Sequence, residues 1–311
     1  MSQISIILPT FNVEKYIERA LQSCINQTFK DIEIIVVDDC GNDKSIEIAK
    51  DYANKDERIK IIHNEKNLGS FASRNIGVFN SNADYIMFLD PDDYLELNAC
   101  EECVKVLDNN EIDLICFNYN ILDIVLKKKY FFIKNSYDIN EYLKFLAKKI
   151  VDANLYNWSM WTRVFQKQKY LKTFEKIKIN FKLTMAEDAL FVALYYLECK
   201  YIITLDKSLV NYNIQNINSS TKERKNFEKM QFFVENLDFV IYKLNLYSST
   251  LNTMYFLLCQ CFICELCIHK FDLKYRLVYG NFIKKTIIKL KRKMIKIKRR
   301  KYIKQLAMEL K

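Results

Sequence analysis

The first 120 residues alternate between short apolar runs and segments with helical spacing. Apolar runs that end in polar residues predict buried strands, and they occur at 4–8, 32–37, 58–62, 85–89 and 113–118. Helical spacing of apolar residues predicts helices at 14–26, 43–54, 70–80 and 97–109. This alternation predicts an α/β domain in which helices cover a parallel sheet on both faces.

Polar clusters follow three of these strands, at 9–12, 38–39 and 90–93. Because the carboxyl ends of parallel strands meet at one edge of a sheet, we expect the clusters to line a ligand crevice. The sequence Asp90-Pro91-Asp92-Asp93 places three carboxylates close together, and their repulsion favours a divalent cation that shares its ligands with phosphates. An acidic turn that caps the next helix is the alternative.

Asp38 and Asp39 end the second predicted strand at the same edge. A carboxylate there can accept a hydrogen bond from the imide N–H of uracil, which favours a uridine nucleotide over a purine nucleotide. Helix capping by Asp39 or Asp43 is the alternative.

Four segments in this order carry a resemblance to a known family: SIILPTFNVE at 5–14, VVDDCGNDKS at 36–45, NLGSFASRNIG at 67–77 and FLDPDD at 88–93. Together they resemble the amino-terminal half of family 2 glycosyltransferases of the GT-A fold. The sequence Ala186-Glu187-Asp188 resembles the Glu-Asp motif of that family. The chain is also similar to bacterial lipooligosaccharide β-1,3-galactosyltransferases, which place galactose on a terminal N-acetylgalactosamine.

The resemblance implies a Rossmann-like, nucleotide-binding mixed sheet flanked by helices, with a mostly helical C-terminal extension. It implies an inverting transferase that uses UDP-galactose, Mn²⁺ or Mg²⁺ and a lipooligosaccharide acceptor. The implied donor residues are Pro9, Thr10, Phe11 and Glu14 around the uridine, Asp39 on the uracil, Asn67 and Arg74 near ribose or phosphate, and Asp90 at the ribose or a metal-bound water. Asp92 is implied as the direct metal ligand, with Asp90 beside it.

Asp188 is the predicted general base, with Glu187 beside it, because inverting transfer needs one carboxylate to take the proton of the acceptor hydroxyl. An acidic helix start is the alternative for both residues. Trp158 and Trp161 are candidate acceptor-binding residues, and core packing is the alternative for each. Many relatives have a His or Arg after a downstream Tyr, whereas Asn213 follows Tyr212 here, which leaves a later metal or diphosphate contact unassigned.

Charge is unevenly distributed along the chain. Residues 1–120 contain 11 Lys and Arg against 22 Asp and Glu, and the remainder contains 37 against 16. Residues 281–311 hold 13 of the basic residues and one Glu, interleaved with apolar side chains. This predicts a basic amphipathic helix on the anionic inner-membrane surface, hence a peripheral location on its cytoplasmic face. A solvated helical face is the alternative, and nucleic acid is not a predicted partner because no recognised module accompanies the charge.

The ten cysteines and the absence of a signal peptide after Met1 lead us to expect reduced thiols in a cytosol. Four of the cysteines lie between 259 and 267, in an apolar stretch with no Gly or Pro turn. This composition favours a buried helix over a zinc site. Gln260 and Glu265 interrupt the same stretch, which favours a buried helix over a membrane span.

The predicted organisation is a catalytic domain at 1–215, with a nucleotide-sugar half at 1–120 and an acceptor half at 121–215, followed by a helical region at 216–311 that carries the basic tail. Transfer of another hexose (glucose, N-acetylglucosamine or N-acetylgalactosamine) remains open. A sugar nucleotidyltransferase would need a Gly-rich loop after the first strand, and residues 9–12 contain no Gly. An inactive membrane scaffold would not need Asp90, Asp92 and Asp188.

Overall fold

A computed structural model describes residues 3–107, 112–123, 127–129, 131–216, 227 and 229–311, with the backbone alone at 127 and 128. The chain forms two compact units. The first comprises Met1–Tyr137, Ser159–Leu183 and Glu198–Asn216, and the second comprises Asp138–Trp158, Thr184–Leu197 and Ile217–Lys311. This grouping differs from the predicted division after 215, because helices at 139–153 and 187–195 pack with the C-terminal helices.

The strands of the first unit form one mixed sheet. They are β1 Ile4–Thr10, β2 Ile32–Asp38, β3 Ile59–His63, β4 Tyr85–Phe88, β5 Tyr94–Leu95, β6 Leu114–Leu122, β7 Lys127–Lys129, β8 Asn135–Asp138, β9 Arg163–Gln166 and β10 Tyr201–Asn213. Their order is β3-β2-β1-β4-β9-β6-β10-β5, with β7 beside β6 and β8 beside β10.

Strands β1 to β4 are parallel to one another, β9 runs antiparallel between β4 and β6, and β10 is parallel to β6. Because β9 is antiparallel to both β4 and β6, strands β6 and β10 run in the same direction as β4. The carboxyl ends of β1, β2, β4 and β10 therefore lie at the same edge of the sheet.

The helices of the first unit are α1 Ile17–Ile25, α2 Ser45–Ala53, α3 Ser70–Phe79, α4 Ala99–Val104 and α6 Lys167–Ile177, with a 3₁₀ turn at Met160–Thr162. Strand β1 is buried on both faces because its apolar run has no polar alternation. Ile6 and Leu8 pack with the apolar side of α1. Ile7 points to the opposite face, where α3 lies over it.

The second unit contains α5 Ile139–Ala153, α7 Glu187–Tyr195, α8 Met230–Tyr247, α9 Thr253–Leu277 and α10 Phe282–Glu309. Within the part of the chain that the structure describes, α9 is the one helix long and apolar enough to cross a membrane. Because 56% of its apolar 18-residue stretch is buried inside the protein, the same features suit a core helix. The four cysteines at 259–267 lie on α9, and three of them are buried.

Candidate active site

Asp39 follows β2, and its carboxylate organises the loop before α3. The residue is 3% exposed and accepts hydrogen bonds from Leu68 N at 2.7 Å, Gly69 N at 2.8 Å and Asn64 Nδ2 at 2.9 Å. A carboxylate has about four acceptor positions, so a uracil N–H would take the one that remains. The uracil contact of Asp39 stays a prediction.

The predicted uridine frame lies on the end of β1 and the loop after it, and it comprises Pro9, Thr10, Phe11 and Glu14. Thr10 is buried, and its carbonyl accepts from Asp39 N at 2.9 Å. Phe11 is 46% exposed and is the aromatic ring of this loop that is open to a ligand. Glu14 accepts from Lys44 N at 3.1 Å, so it also fixes the start of α2.

The turn after β4 places Asp90, Asp92 and Asp93 at the carboxyl edge of the sheet. Asp93 N donates to Asp90 O at 2.9 Å, which closes the turn. One carboxylate oxygen of Asp90 accepts from Arg74 NH2 at 2.7 Å. Arg74 is 4% exposed, so its guanidinium is fixed in place. The structure thus brings together Arg74 and Asp90, two residues that the family resemblance implies in donor binding.

Two asparagines at the end of β10 bond the other two aspartates. Asn216 Nδ2 donates to Asp92 Oδ2 at 2.8 Å, and Asn213 N donates to Asp93 Oδ1 at 2.7 Å. Both asparagines are buried. Sequence reasoning missed these contacts, since it noted only that Asn213 stands where relatives have a basic residue. No local sequence signal marks these contacts, because Asn213 ends β10 and Asn216 follows it, and β10 itself was not predicted.

Charge repulsion and burial make the acidic turn receptive to a cation. Burial and the nearby charge of Asp90 raise the pKa of Asp92. Burial and the charges of Asp92 and Asp90 raise the pKa of Asp93 well above its usual range. Asp93 is 1% exposed, and its Oδ2 atom is buried with no hydrogen-bond partner among the described residues. A positive charge beside the turn would lower the cost of keeping these groups ionised.

A divalent ion at this turn would need ligands from a substrate. Among the residues placed by the structure, no group of three or more His, Cys, Asp and Glu side chains could hold a metal ion. Mg²⁺ in such sites is bound by one or two carboxylates together with phosphate oxygens and water. Asp92, with Asp90 beside it, supplies that number of carboxylates, so the donor set fits a metal that arrives with a diphosphate.

Two exposed cations near the predicted donor residues were not expected from the sequence. Arg19 donates to the backbone oxygen of Asp92 at 3.2 Å and lies 4.5 Å over the ring of Tyr94. Lys182 donates to Oδ1 of Asn67, whose amide nitrogen donates to the Asp39 carbonyl at 3.1 Å. Their positive charges suit phosphate oxygens.

The two tryptophans lie in different units. In the first unit Trp161 is 9% exposed and stacks on Tyr212, with ring centroids 5.2 Å apart and planes 10° apart. Burial and, after it, the charges of the three aspartates of the turn raise the pKa of Tyr212. In the second unit Trp158 packs on Phe262 at 4.7 Å. An acceptor role for either tryptophan stays a prediction.

Glu187 and Asp188 form the first turn of α7, in the second unit. Glu187 is 8% exposed. The preceding Ala186 adopts a left-handed backbone with φ of 60°, which is costly for a residue with a Cβ and is a kind of strain often found at functional sites. The start of a helix favours ionised carboxylates. The catalytic roles of both residues stay predictions.

The model of the family described as "Glycosyl transferase family 2" matches residues 5–180. An uncharacterised glycosyltransferase of Haemophilus influenzae is 39% identical over 40% of this chain and 50% of its own length. A cholesterol galactosyltransferase of Borreliella burgdorferi is 25% identical over 92% of this chain and 81% of its own length. This chain spans about half the length of the Haemophilus relative, and other curated relatives are covered over 31% and 63% of theirs.

Among solved structures, S. aureus TarS 1–349 in complex with UDP-GlcNAc superimposes with a TM-score of 0.61. It is 22% identical, and the match covers 89% of this chain and 84% of that chain. At this identity the likeness shows the fold. It confirms the predicted GT-A architecture, a mixed central sheet flanked by helices with a helical C-terminal region.

Proposed function

The chain belongs to glycosyltransferase family 2, and from that premise we propose that it transfers galactose from UDP-galactose in β-1,3 linkage to a terminal N-acetylgalactosamine of a bacterial lipooligosaccharide. The observation that carries the proposal is the acidic turn at the carboxyl edge of the sheet. There Asp90 is bonded to the buried Arg74, and Asp92 to the buried Asn216, which follows β10.

The donor is proposed to lie along the ends of β1, β2 and β4. Phe11 offers an exposed ring to the uracil, and Asp39 offers the carboxylate oxygen that its loop leaves available. Arg19, Arg74 and Lys182 bring positive charge towards the diphosphate. The complex of TarS with UDP-GlcNAc, a relative in fold, supports a uridine nucleotide.

Asp92, with Asp90 beside it, would hold Mn²⁺ or Mg²⁺ together with the diphosphate. When bound, the ion supplies positive charge against the charge that grows on the departing diphosphate. Asn216 and Arg74 hold the two carboxylates in place before any ligand arrives. The chain therefore meets the diphosphate with oriented groups, which reduces reorganisation during the reaction.

Asp188 is the proposed general base. Its carboxylate takes the proton of the acceptor hydroxyl as that oxygen attacks the anomeric carbon, while the bond from that carbon to the diphosphate breaks. Attack from the side opposite the leaving group inverts the anomeric configuration, so an α-linked donor gives a β-linked product. The helix start at Glu187 and Asp188 supports an ionised base at neutral pH.

The choice of galactose is supported by the Borreliella relative, whose name specifies galactose and whose match covers 92% of this chain. The chosen acceptor follows the resemblance to lipooligosaccharide galactosyltransferases. One or two contacts in a pocket decide between such sugars. An assay with several UDP-sugars therefore also tests transfer of glucose, N-acetylglucosamine and N-acetylgalactosamine.

The test is a panel of UDP-sugars, with a soluble acceptor that ends in N-acetylgalactosamine, in Mn²⁺ and in EDTA, followed by linkage analysis of the product. We expect galactose transfer in β-1,3 linkage that EDTA abolishes. Asp92→Asn and Asp188→Asn should each lower kcat by about 10²–10⁴-fold, whereas the matched control Asp51→Asn, at an exposed position on α2, should not. Full activity of Asp188→Asn would remove the proposed base, and transfer of another sugar alone would remove galactose.

A further inference from the structure

The long helix α10 carries apolar side chains on two opposite sides. Its inner side faces α9 within the second unit: Leu306 is buried, and Ile288, Ile295, Tyr302 and Ile303 are partly buried. Tyr302 and Phe256 of α9 are in edge contact, with ring centroids 6.4 Å apart. The inner side therefore accounts for the packing of α10, and it leaves the opposite side to be explained.

The outer side presents a straight line of large apolar residues to solvent. These residues, called the outer stripe, are Ile283, Ile287, Leu290, Met294 and Ile297, with exposed fractions of 72%, 46%, 57%, 68% and 47%. Their spacing of four, three, four and three residues puts them on one face of a helix. Tyr279 precedes α10 and Phe282 begins it, and both are exposed, at 94% and 82%. Contiguous exposed apolar surface of this kind marks a docking site.

The basic residues of α10 divide into three groups. Lys285 and Lys289 lie over the ring of Tyr275, and Lys298 lies over the ring of Tyr302. Some serve the packing side: Arg292 pairs with Asp272, and Arg299 pairs with Glu265. Others have no acidic partner among the residues that the structure places, and they are Lys284, Lys291, Lys293, Lys296, Arg300, Lys301 and Lys304. The helix contains twelve Lys and Arg and a single acidic residue, Glu309. Unpaired positive charge thus accompanies the outer stripe along its length.

We propose that the outer stripe docks on an anionic lipid surface, with the axis of α10 parallel to the membrane and the apolar side chains inserted between the headgroups. An apolar line accompanied by cations matches a surface that is apolar below and negative above. A second copy of this helix would bring the same positive charges against each other. A nucleic acid would leave the apolar side chains uncovered. The inner side can stay packed on α9 during docking, so no part of the second unit has to unfold.

The test is co-sedimentation of the full chain with vesicles, measured without sugar donor or acceptor so that it is independent of catalysis. Vesicles of phosphatidylglycerol in phosphatidylcholine should bind the protein, and 0.5 M salt should weaken binding because it screens the charges. Pure phosphatidylcholine should bind at least about tenfold more weakly, since each basic residue near an anionic surface adds to the affinity.

Two double variants distinguish the outer stripe from exposed apolar residues in general. Leu290→Gln with Met294→Gln should lower the partition coefficient about tenfold or more. Tyr242→Gln with Leu246→Gln is the matched control, because those residues are also four apart on a helix of the second unit and are 62% and 52% exposed. Both variants should keep the thermal midpoint and the transferase activity towards a soluble acceptor.

Equal sedimentation of the outer-stripe variant and the wild type would overturn the proposal. So would equal binding to neutral and anionic vesicles. A protein that forms dimers in solution through these residues, and ignores vesicles, would overturn it in favour of a second copy. Loss of sugar transfer with intact vesicle binding would instead count against the proposed function alone.

Discussion

At the residue scale, Glu33 is a buried acid near the start of β2 that ties three segments of the first unit together. Its carboxylate accepts from Ser5 Oγ at 2.6 Å, Lys60 Nζ at 2.9 Å and Ala83 N at 3.1 Å. Burial alone would raise the pKa of Glu33, but hydrogen bonds from Lys60, Ser5 and the backbone of Asn82 outweigh it and lower the pKa. The ionised form therefore stabilises the fold.

We predict that Glu33→Gln destabilises the protein at pH 7 by about 1–3 kcal/mol, because donors to a buried charge lose their acceptor. A depressed folded pKa means that the contribution is complete above the unfolded pKa of about 4.3 and is lost as pH falls through the folded pKa. The difference between variant and wild type should thus shrink in acid. Urea denaturation at pH 7 and pH 3.5 measures it, with the exposed Glu47→Gln as control. A difference in the free energy of unfolding that does not depend on pH would contradict this account.

In the candidate site, the aspartates of the acidic turn were predictable from the sequence, but their bonding partners were not. The three aspartates of the acidic turn could be found from the sequence, since they directly follow an apolar run. Their partners at 213 and 216 could not, because the contact depends on β10 lying beside β6 and ending at the same edge. Nothing in the local pattern around Tyr212 fixes that long-range placement.

At the element scale, strands with at most one polar residue in an apolar run were predictable, and those with several polar residues were not. The expected runs at 4–8, 32–37 and 85–89 agree with β1, β2 and β4 to within two residues. Strand β9 was missed because it is short and begins with Arg163, whose side chain is fully buried. Its antiparallel insertion between β4 and β6 makes the sheet mixed. Strand β10 was missed because Asp206, Lys207 and Ser208 interrupt it, and its register shifts there.

The packing of α3 on β1 leads to a second prediction. At Gly77 an added Cβ would lie 2.4 Å from Cγ2 of Ile7, closer than such atoms approach in proteins. Alanine favours a helix over glycine by about 1 kcal/mol, whereas overpacking costs about 1–3 kcal/mol. We therefore expect Gly77→Ala to lower the thermal midpoint, although it improves helix propensity.

A double-mutant cycle separates the clash from other effects. Ile7→Ala removes the methyl group that the new Cβ would meet, and by itself it should cost about 2–5 kcal/mol as a cavity. In that background Gly77→Ala should become neutral or stabilising, which gives a coupling energy of the order of 1–3 kcal/mol. Additive effects would show that α3 does not pack on Ile7 as described.

At the scale of the whole molecule, the uneven charge of the sequence has a structural counterpart in each unit. The acidic surplus of the first 120 residues includes the turn at 90–93, where repulsion among carboxylates suits a cation. The basic surplus of the remainder is greatest on α10, which holds twelve Lys and Arg. Composition alone predicted both anionic and cationic surfaces, but only the structure separates the packing side of α10 from its outer stripe.

The ten cysteines, all of them in described segments, report on folding of the entire chain. Cys40 is exposed, Cys267 is partly exposed and the other eight are buried. Burial raises the pKa of Cys24 and Cys259 to about 12, so these thiols are also chemically protected in the folded state. We predict that a thiol reagent modifies one cysteine rapidly in the native protein and all ten in denaturant.

The fast thiol should be Cys40, and Cys40→Ser should abolish the fast phase. Partial desolvation and the charges of Asp38 and Asp39 raise the pKa of this thiol, so its labelling should accelerate as pH rises above neutrality. Because Cys40 directly follows the predicted uracil contact, UDP should slow its labelling if the nucleotide lies along the end of β2. Mass spectrometry of the labelled protein, with and without UDP, measures all three effects. Rapid modification of the cysteines at 100, 103 or 116 would contradict the packing of the first unit, since these thiols become accessible only when its sheet and helices separate.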